Sequence, residues 1–546
     1  MQNFNSPLEA FQYWENKMPN SVFLKQPLNG KIINYTFAQV GQESRKIANA
    51  IKNFNLPERS HIALISKNCA HWHMADLAIM MSGHVSIPIY PSLNASSINQ
   101  ILVHSESKAI IIGKLDDLES QQSGFPDIHK ICVGVYGANN GTLWEDIISN
   151  GQEITNVYIQ KPDDLYTIIY TSGTTGDPKG VMHTVNNFME SVKAIHARFP
   201  LEDNSKLFSF LPIAHIAERV LENISIAIGA TVAFPESLQS IASDLEKVQP
   251  NLFFAVPRIW TKFQEKILEK IPQKKLSTLL KIPVVKGFIK KKLQQKLGLR
   301  DAKYIISGAA PIAPSLVNWF ETIGITILEG YGMSEDTIIS HFNIATDNRV
   351  GTVGKAVAGV SVKISSEGEI CIKNKCLMKG YYKSPEITAS VFDEDGFFKT
   401  GDIGQYDHDG FLTITGRMKD QFKTDKGKYI SPAPLELKLS INKDIDQICL
   451  VGTGIPQPIT LITLSELGKT KSRTSLCVGL VATMNQINPH IEKHEKIEKV
   501  IIMKDDWSID NGLTTPTMKV KRNEIEKIHQ EFYKSWFENE DKVIFE

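Results

Sequence analysis

Short apolar runs alternate with longer helix-like stretches through the first 350 residues or so, and this rhythm is what most constrains the fold. The runs are His61–Ser66, Ala109–Gly113, Ile131–Val135, Tyr166–Tyr170, Leu207–Leu211, Leu252–Val256 and Tyr304–Ser307. Runs this apolar read as strands covered on both faces. Thr36–Phe54 and Asn186–Arg198 are helical candidates between them. Ala75 to Pro91 is the most apolar stretch, but Asp76, Gly83, His84 and Pro88 interrupt it. A membrane span needs about 20 apolar residues, so this stretch reads as a buried helix followed by a strand. The alternation predicts an α/β architecture with substantially parallel sheet.

Beyond about residue 350 the pattern changes. Glycine-rich, β-like segments follow at Val360–Ile364, Gly368–Ile372 and Phe411–Thr415. An amphipathic stretch near Leu435–Ile441, strands at Gln447–Val451 and Thr460–Leu464, and a helix from about Arg522 predict a small α+β domain. A chain of 546 residues is too long for one ordinary core. The expected division is a large domain over 1–418 and a small one over 419–546, with the boundary close to Gly416–Lys419.

Sixty basic residues balance 60 acidic ones, which gives no support for a nucleic-acid partner. Six scattered cysteines are too few for a disulfide scaffold and fit reduced thiols in the cytoplasm. The first five residues show no basic or apolar signal region, so no signal peptide is expected. One segment departs from the balanced charge. From Lys262 to Arg300 about a dozen Lys and Arg face only Glu265 and Glu269, with Leu, Ile, Val and Phe interleaved. It reads either as a solvated helical face or as a basic amphipathic surface resting on anionic lipid. The second reading would put the protein at the inner face of the membrane.

The strongest local signal is Tyr170-Thr-Ser-Gly-Thr-Thr-Gly-Asp-Pro-Lys-Gly180. It follows the apolar run Tyr166–Tyr170 and precedes a helical stretch from about Asn186, so strand, loop, helix is the expected context for surrounding phosphate oxygens. Gly173, Gly176 and Gly180 clear side chains from the approach. Ser172, Thr174 and Thr175 add hydroxyls and Lys179 adds a positive charge. No GxxxxGK[ST] string is present.

The full string resembles the phosphate-binding signature of the adenylate-forming superfamily, and further motifs follow in that superfamily's order. Tyr331-Gly-Met-Ser-Glu335 resembles its Tyr-Gly-x-Thr-Glu element. The resemblance implies that Tyr331 packs on adenine beside Gly332, that Ser334 contacts the α-phosphate, and that Glu335, with Thr171, holds Mg²⁺. Ser307-Gly-Ala-Ala-Pro311 resembles the loop on the other side of the adenine, which implicates Gly308, Ala309 and Ala310. Thr400-Gly-Asp402 resembles the element whose aspartate takes both ribose hydroxyls, a fit for a carboxylate facing a vicinal diol. Arg417 matches a second ribose contact, Lys419 the hinge between domains, and Gly427 a loop that approaches coenzyme A. Thr515-Pro-Thr-Met-Lys519 falls where relatives carry a catalytic lysine, usually after glycine rather than Met518, and Lys521 is the rival for that role.

Three strings resemble the long-chain fatty acyl-CoA synthetase branch. They are Leu211-Pro-Ile-Ala-His-Ile-Ala-Glu-Arg219, Val256-Pro-Arg-Ile-Trp260 and the stretch from Gly416 to Ile430. They imply that His215 lies near the substrate carboxylate and Trp260 near the acyl channel. The implied fold is the adenylate-forming one: a large N-terminal domain of mainly parallel α/β sheets with a β-subdomain, and a small mobile C-terminal α+β domain. The implied reaction joins a fatty acid, ATP and coenzyme A into acyl-CoA, AMP and pyrophosphate through acyl-AMP. A ligase that loads a carrier protein, and a synthetase for a non-fatty acid, stay open as alternatives, as does a homodimer.

Overall fold

The computed structural model describes residues 2–172 and 178–546. The apolar runs assemble where their composition predicts. An eight-stranded sheet runs in the order Gly380–Tyr381, Pro178–Thr184, Leu165–Ser172, Val85–Ile89, His61–Ile65, Ala109–Ile112, His129–Cys132 and Thr142–Leu143. From Leu165–Ser172 onward, neighbours are parallel. Every residue of Val85–Ile89 and of Ala109–Ile112 is buried, as a strand covered by helices on both faces requires. The helix Ala70–Met81 is buried along its whole length, and Phe37–Lys52 packs beside it, started by a capping box between Thr36 and Gln39.

A second sheet joins Leu252–Ala255, Tyr304–Ser307 and Leu328–Tyr331 in parallel, then His341–Phe342 and Lys355–Ala356 antiparallel. A four-stranded antiparallel sheet over Ser361–Ile364, Glu369–Lys373, Phe398–Tyr406 and Leu412–Arg417 forms the β-subdomain. After Met418–Asp420 the chain builds a separate small core. There the helices Pro432–Leu439 and Arg473–Ile487 cover one face of the sheet made by Ile445–Val451, Ile459–Leu464, Lys499–Ile502 and Val543–Phe545.

The helix expected from about Asn186 is found, beginning at Val185 and capped by Thr184 accepting from the Asn187 amide. Between it and the glycine-rich string lies a strand the sequence does not suggest: Pro178–Thr184 pairs antiparallel with Leu165–Ser172, Tyr170 opposite Gly180 and Thr171 opposite Lys179. Alternation explains the strand, since Val181 and His183 point inward and are fully buried. The Ile131–Val135 run leaves its ladder early. The Gly134 and Val135 amides donate to the Glu145 carboxylate at 3.0 and 2.9 Å, so a short 3₁₀ turn replaces the strand's end.

Candidate active site

A cleft of about 2330 Å³ runs between the large domain and the C-terminal unit. Its floor includes Gly308 and Tyr331, at the C-terminal ends of parallel strands. Open α/β sheets bind ligands at that edge because the loops leaving the strands diverge there. Gly173, Thr174, Thr175 and Gly176 lie outside the described residues, and Ser172 ends its strand. Thr171 and Lys179, paired across the hairpin, both line the cleft.

One wall is organised around Asp402. Its register partner across the hairpin of the β-subdomain is Arg417, whose Nε donates to Oδ1 at 2.8 Å. The Tyr331 hydroxyl donates to Oδ2 at 2.7 Å. The carboxylate is 8% exposed, and its negative charge raises the Arg417 pKa further. Thr400 holds the turn by accepting from the Asp402 amide at 3.1 Å and donating to the Ile370 carbonyl at 2.7 Å. Across from it, the 308–310 loop carries Ala309 at φ 66°, a left-handed conformation that suits a small residue. Gly332 cannot be substituted, because a Cβ there would sit 2.4 Å from the Ile338 backbone.

Glu335 sits on a 3₁₀ turn, Ser334–Asp336. Its Oε1 accepts from the Tyr381 hydroxyl at 2.8 Å, and Lys179 lies 5.7 Å from the centroid of that tyrosine ring. Lys179 and the Glu335 carboxylate thus share one aromatic platform. The neighbouring Asp336 is fully buried, and burial pushes its pKa up to about 8. Among the described residues no group of three or more His, Cys, Asp and Glu side chains converges. A lone carboxylate is a donor set that suits Mg²⁺, which fills its other positions with phosphate oxygens and water. The residues at Glu335 therefore fit that ion.

The C-terminal unit contributes Thr515–Lys521 to the cleft. The turn is closed by the Thr515 amide donating to the Lys519 carbonyl and the Met518 amide donating to the Thr515 carbonyl, both at 2.8 Å. Met518 takes φ 62° there, which explains why glycine would be at home in this position. Of the two rival lysines, Lys519 projects toward Arg417, Asp402 and His215. Although the side chain keeps solvent contact, the protein atoms crowded around it in the cleft, then the Arg417 charge, lower its pKa, and its own charge acts on His215. Lys521 also lines the cleft.

His215 caps the helix Ile216–Ala227, its Nδ1 accepting from the Ala217 amide at 3.2 Å. Burial, and secondarily Lys519, pushes its pKa down to about 3, so the ring is neutral at pH 7. With Nδ1 accepting, the proton sits on Nε2. Beyond His215 the cleft turns apolar, lined by Ile195, Val220, Leu221, Ile224, Phe254 and Ile338. Trp260 is not part of this lining. It is fully buried in a separate cluster with Phe253, Phe263 and Phe320, on the inward face of the helix Pro257–Lys270. Lys419 is exposed on the connector and lines the cleft, whereas Gly427, at φ 75° in the turn between Phe422–Lys423 and Tyr429–Ile430, does not line it.

Sequence reasoning missed three partners. Tyr381 gave no signal outside its contact with Glu335. Arg219 did lie within a quoted string. It is completely buried, donating to both Asp76 oxygens at 2.7 and 2.8 Å and to Glu222 at 2.5 Å, with the Trp72 and Tyr166 rings 4.9 and 4.7 Å away. Arg258, from the second string, donates from Nη2 to both Asp446 oxygens at 3.0 and 2.8 Å, joining the large domain to the small one.

Comparison with known proteins decides the family. Residues 11–382 match the AMP-binding enzyme family, and residues 419–541 match the AMP-binding enzyme C-terminal domain. The chain belongs to the AMP-binding enzyme family. This AMP-binding enzyme is 28% identical to the long-chain-fatty-acid–CoA ligase FadD15 of Mycobacterium bovis, over 93% of each chain. It is 27% identical to long-chain-fatty-acid–CoA ligase 5 of Mus musculus, over 92% of this chain and 84% of the other. In fold it is similar to the adenylation domain of a carboxylate reductase from Mycobacterium chelonae, with a TM-score of 0.82, 18% identity, and coverage of 98% of this chain and 91% of that one. The o-succinylbenzoate CoA synthetase of Bacillus subtilis gives a TM-score of 0.75 at 19% identity, covering 95% and 97%. The enzyme is thus an adenylate-forming ligase with the fold of that group.

Proposed function

We propose that this enzyme activates long-chain fatty acids, converting the acid, ATP and coenzyme A into acyl-CoA, AMP and pyrophosphate. The observation that carries the reading is the meeting of Lys519 with His215 and the Asp402–Arg417 pair in one cleft whose far branch is apolar. A cation, a neutral imidazole donor and a diol-sized carboxylate face one another there, which suits a nucleotide beside a carboxylic acid. Relatives named as long-chain-fatty-acid–CoA ligases support the choice of acid.

In the first step the fatty acid's carboxylate is the nucleophile. It is ionised at neutral pH, with a reference pKa near about 4, so no general base is required. His215 Nε2–H orients one carboxylate oxygen, and the other attacks the α-phosphorus. The new O–P bond forms as the bond to the bridging oxygen of pyrophosphate breaks. Tyr331 and the 308–310 loop hold the adenine, while Asp402 and Arg417 take the ribose. Lys519 neutralises charge that grows on the phosphoryl oxygens. Mg²⁺, held by Glu335 with Thr171 beside it, would supply further charge neutralisation on the phosphates. In the second step the coenzyme A thiol attacks the acyl carbon, losing its proton as the C–S bond forms and AMP leaves. Between the steps the small domain, 419–546, turns about Lys419. That withdraws Lys519 and brings the Gly427 turn to the site.

The deciding experiment follows AMP release with acids from acetate to palmitate, in the presence of ATP, Mg²⁺ and free coenzyme A. Release that depends on coenzyme A and is fastest with long acids is expected. Pyrophosphate release that stops at acyl-AMP, with no AMP released when free coenzyme A is added, would point to a carrier protein as acceptor, and a preference for short or aromatic acids would end the long-chain reading. In the same assay Lys519→Ala is expected to slow ATP–pyrophosphate exchange by roughly 100-fold or more, while thioester formation from supplied acyl-AMP persists.

A further inference from the structure

Helices Gln273–Lys281 and Pro283–Lys296 form a hairpin on the outside of the large domain. Their inner face is accounted for: Leu276, Leu280, Ile289, Leu293 and Leu297 pack on the cluster around Trp260 and Phe320. The outer face is not. Val284 is 87% exposed, Phe288 65% and Ile282 46%, and no residue of Pro283–Lys296 is buried. Val284 and Phe288 are four apart and share a helix face, on which Lys291 and Lys292 fall at the next turn, while Lys281 ends the preceding helix just before Ile282. Between 271 and 299 there are eight lysines and no acidic residue. Of these eight, Lys296 alone has an ion-pair partner among the described residues, Glu246 at 2.6 Å. A globular chain seldom leaves adjacent large apolar side chains this exposed without a use for them.

We propose that this hairpin docks the enzyme on an anionic lipid bilayer, with Ile282, Val284 and Phe288 entering the headgroup boundary and the lysines beside them meeting lipid phosphates. The charge pattern selects this occupant. A second copy of the chain would set eight lysines against eight, whereas an anionic surface complements every one of them. Apolar tips ringed by lysine are also the composition that holds a helix in the interfacial plane, each basic residue adding its own electrostatic attraction. The helix that precedes the hairpin, Pro257–Lys270, lines the cleft through Pro257, Arg258, Ile259 and Lys262. Docking therefore anchors the bilayer two helices away from the acid-binding site, without using any residue of that site.

The test is flotation of the full-length protein with vesicles of phosphatidylcholine alone and with 30% phosphatidylglycerol added (about a third, as an anionic surface). Binding is expected only to the anionic vesicles and should be lost as salt is raised. Val284→Asp with Phe288→Asp should abolish it, and replacing single lysines among 281, 291 and 292 with Gln should weaken it roughly fivefold each. ATP–pyrophosphate exchange with a water-soluble acid should be unchanged in all of these variants, which shows that they fold. Equal binding to both vesicle types, or unchanged binding after the double substitution, would overturn the proposal. So would a lipid-independent dimer in sedimentation that the double substitution dissolves.

Discussion

At the scale of single residues, the site's most unusual member is Met518. A non-glycine residue at φ 62° costs about 1–2 kcal/mol against ordinary backbone, and here the cost falls on the turn that presents Lys519. Two substitutions separate shape from chemistry. Met518→Gly removes the strain and is expected to keep or raise the ATP–pyrophosphate exchange rate. Met518→Val, β-branched and worse at positive φ, is expected to lower it by tenfold or so, because the turn tilts toward extended backbone. Equal rates in both variants would mean that the turn's geometry is not what holds the lysine. Residue identity was the most legible layer of this molecule. Asp402, Arg417, Tyr331, His215 and Lys519 are all singled out by the sequence, and all five line one cleft. Trp260 packs in a core cluster and does not line the cleft, and the sequence could not show which: an aromatic on an amphipathic helix signals burial, but not whether it is buried in a core or beside a ligand. Tyr381 was invisible because its partner lies 46 positions away and the strand that carries it spans only two residues.

Between elements, the contact that deserves a test is Arg258 with Asp446. It ties the N-terminus of the helix Pro257–Lys270 to the strand Ile445–Val451 of the small domain, with both side chains about a third exposed. An ion pair of that exposure adds at most about 1 kcal/mol, too little to matter for folding but enough to shift the balance between two domain orientations several-fold. Asp446→Ala should therefore leave thermal stability almost unchanged and slow adenylation relative to thioester formation, measured as the ratio of pyrophosphate exchange to coenzyme A-dependent release of AMP from supplied acyl-AMP. An unchanged ratio would remove the pair from any role in domain orientation. Elements of this kind were partly legible. Strands with continuous apolar runs were found because burial on both faces leaves a plain signature, as in Ala109–Ile112. The strand Pro178–Thr184 was missed because glycine, lysine and proline at its start resemble a loop, and only its partner strand makes it regular.

Taken whole, the molecule buries ionisable groups of both kinds, and this sets its response to pH. Burial pushes His71 and His84 down to about 4, and His73, His183, His215 and His341 down to about 3. The unfolded chain binds protons at these rings from 6.5 downward and the folded one does not, so their contribution is lost as pH falls below that value. Glu218, Glu329 and Asp336, raised to about 8 by burial, run the other way: the folded state keeps protons that the unfolded state has released, and stability is lost as pH climbs from about 4.5 toward 8. Between about 4.5 and 6.5 the six rings outweigh the three carboxyls, so the ligand-free protein should show its highest Tm near the upper end of that interval, about pH 6.5, and fall on both sides. A Tm that rises steadily from pH 5 to 8 would contradict this balance. None of it was readable beforehand, since a histidine's or glutamate's burial depends on which helices close over it.

The antiparallel hairpin that carries the Thr171–Lys179 pair has one more consequence. Loops that cradle phosphate at the start of a helix gain a standing positive field from the peptide dipoles. Here the chain turns back into a strand, and sheet strands supply almost no such field. On the proposed reading, side chains supply positive charge from two units: Lys179 from the hairpin and Lys519 from the C-terminal unit. On that same reading, a clamp whose cations sit on two separate units loosens when those units part, so nucleotide departure and thiol entry share one motion.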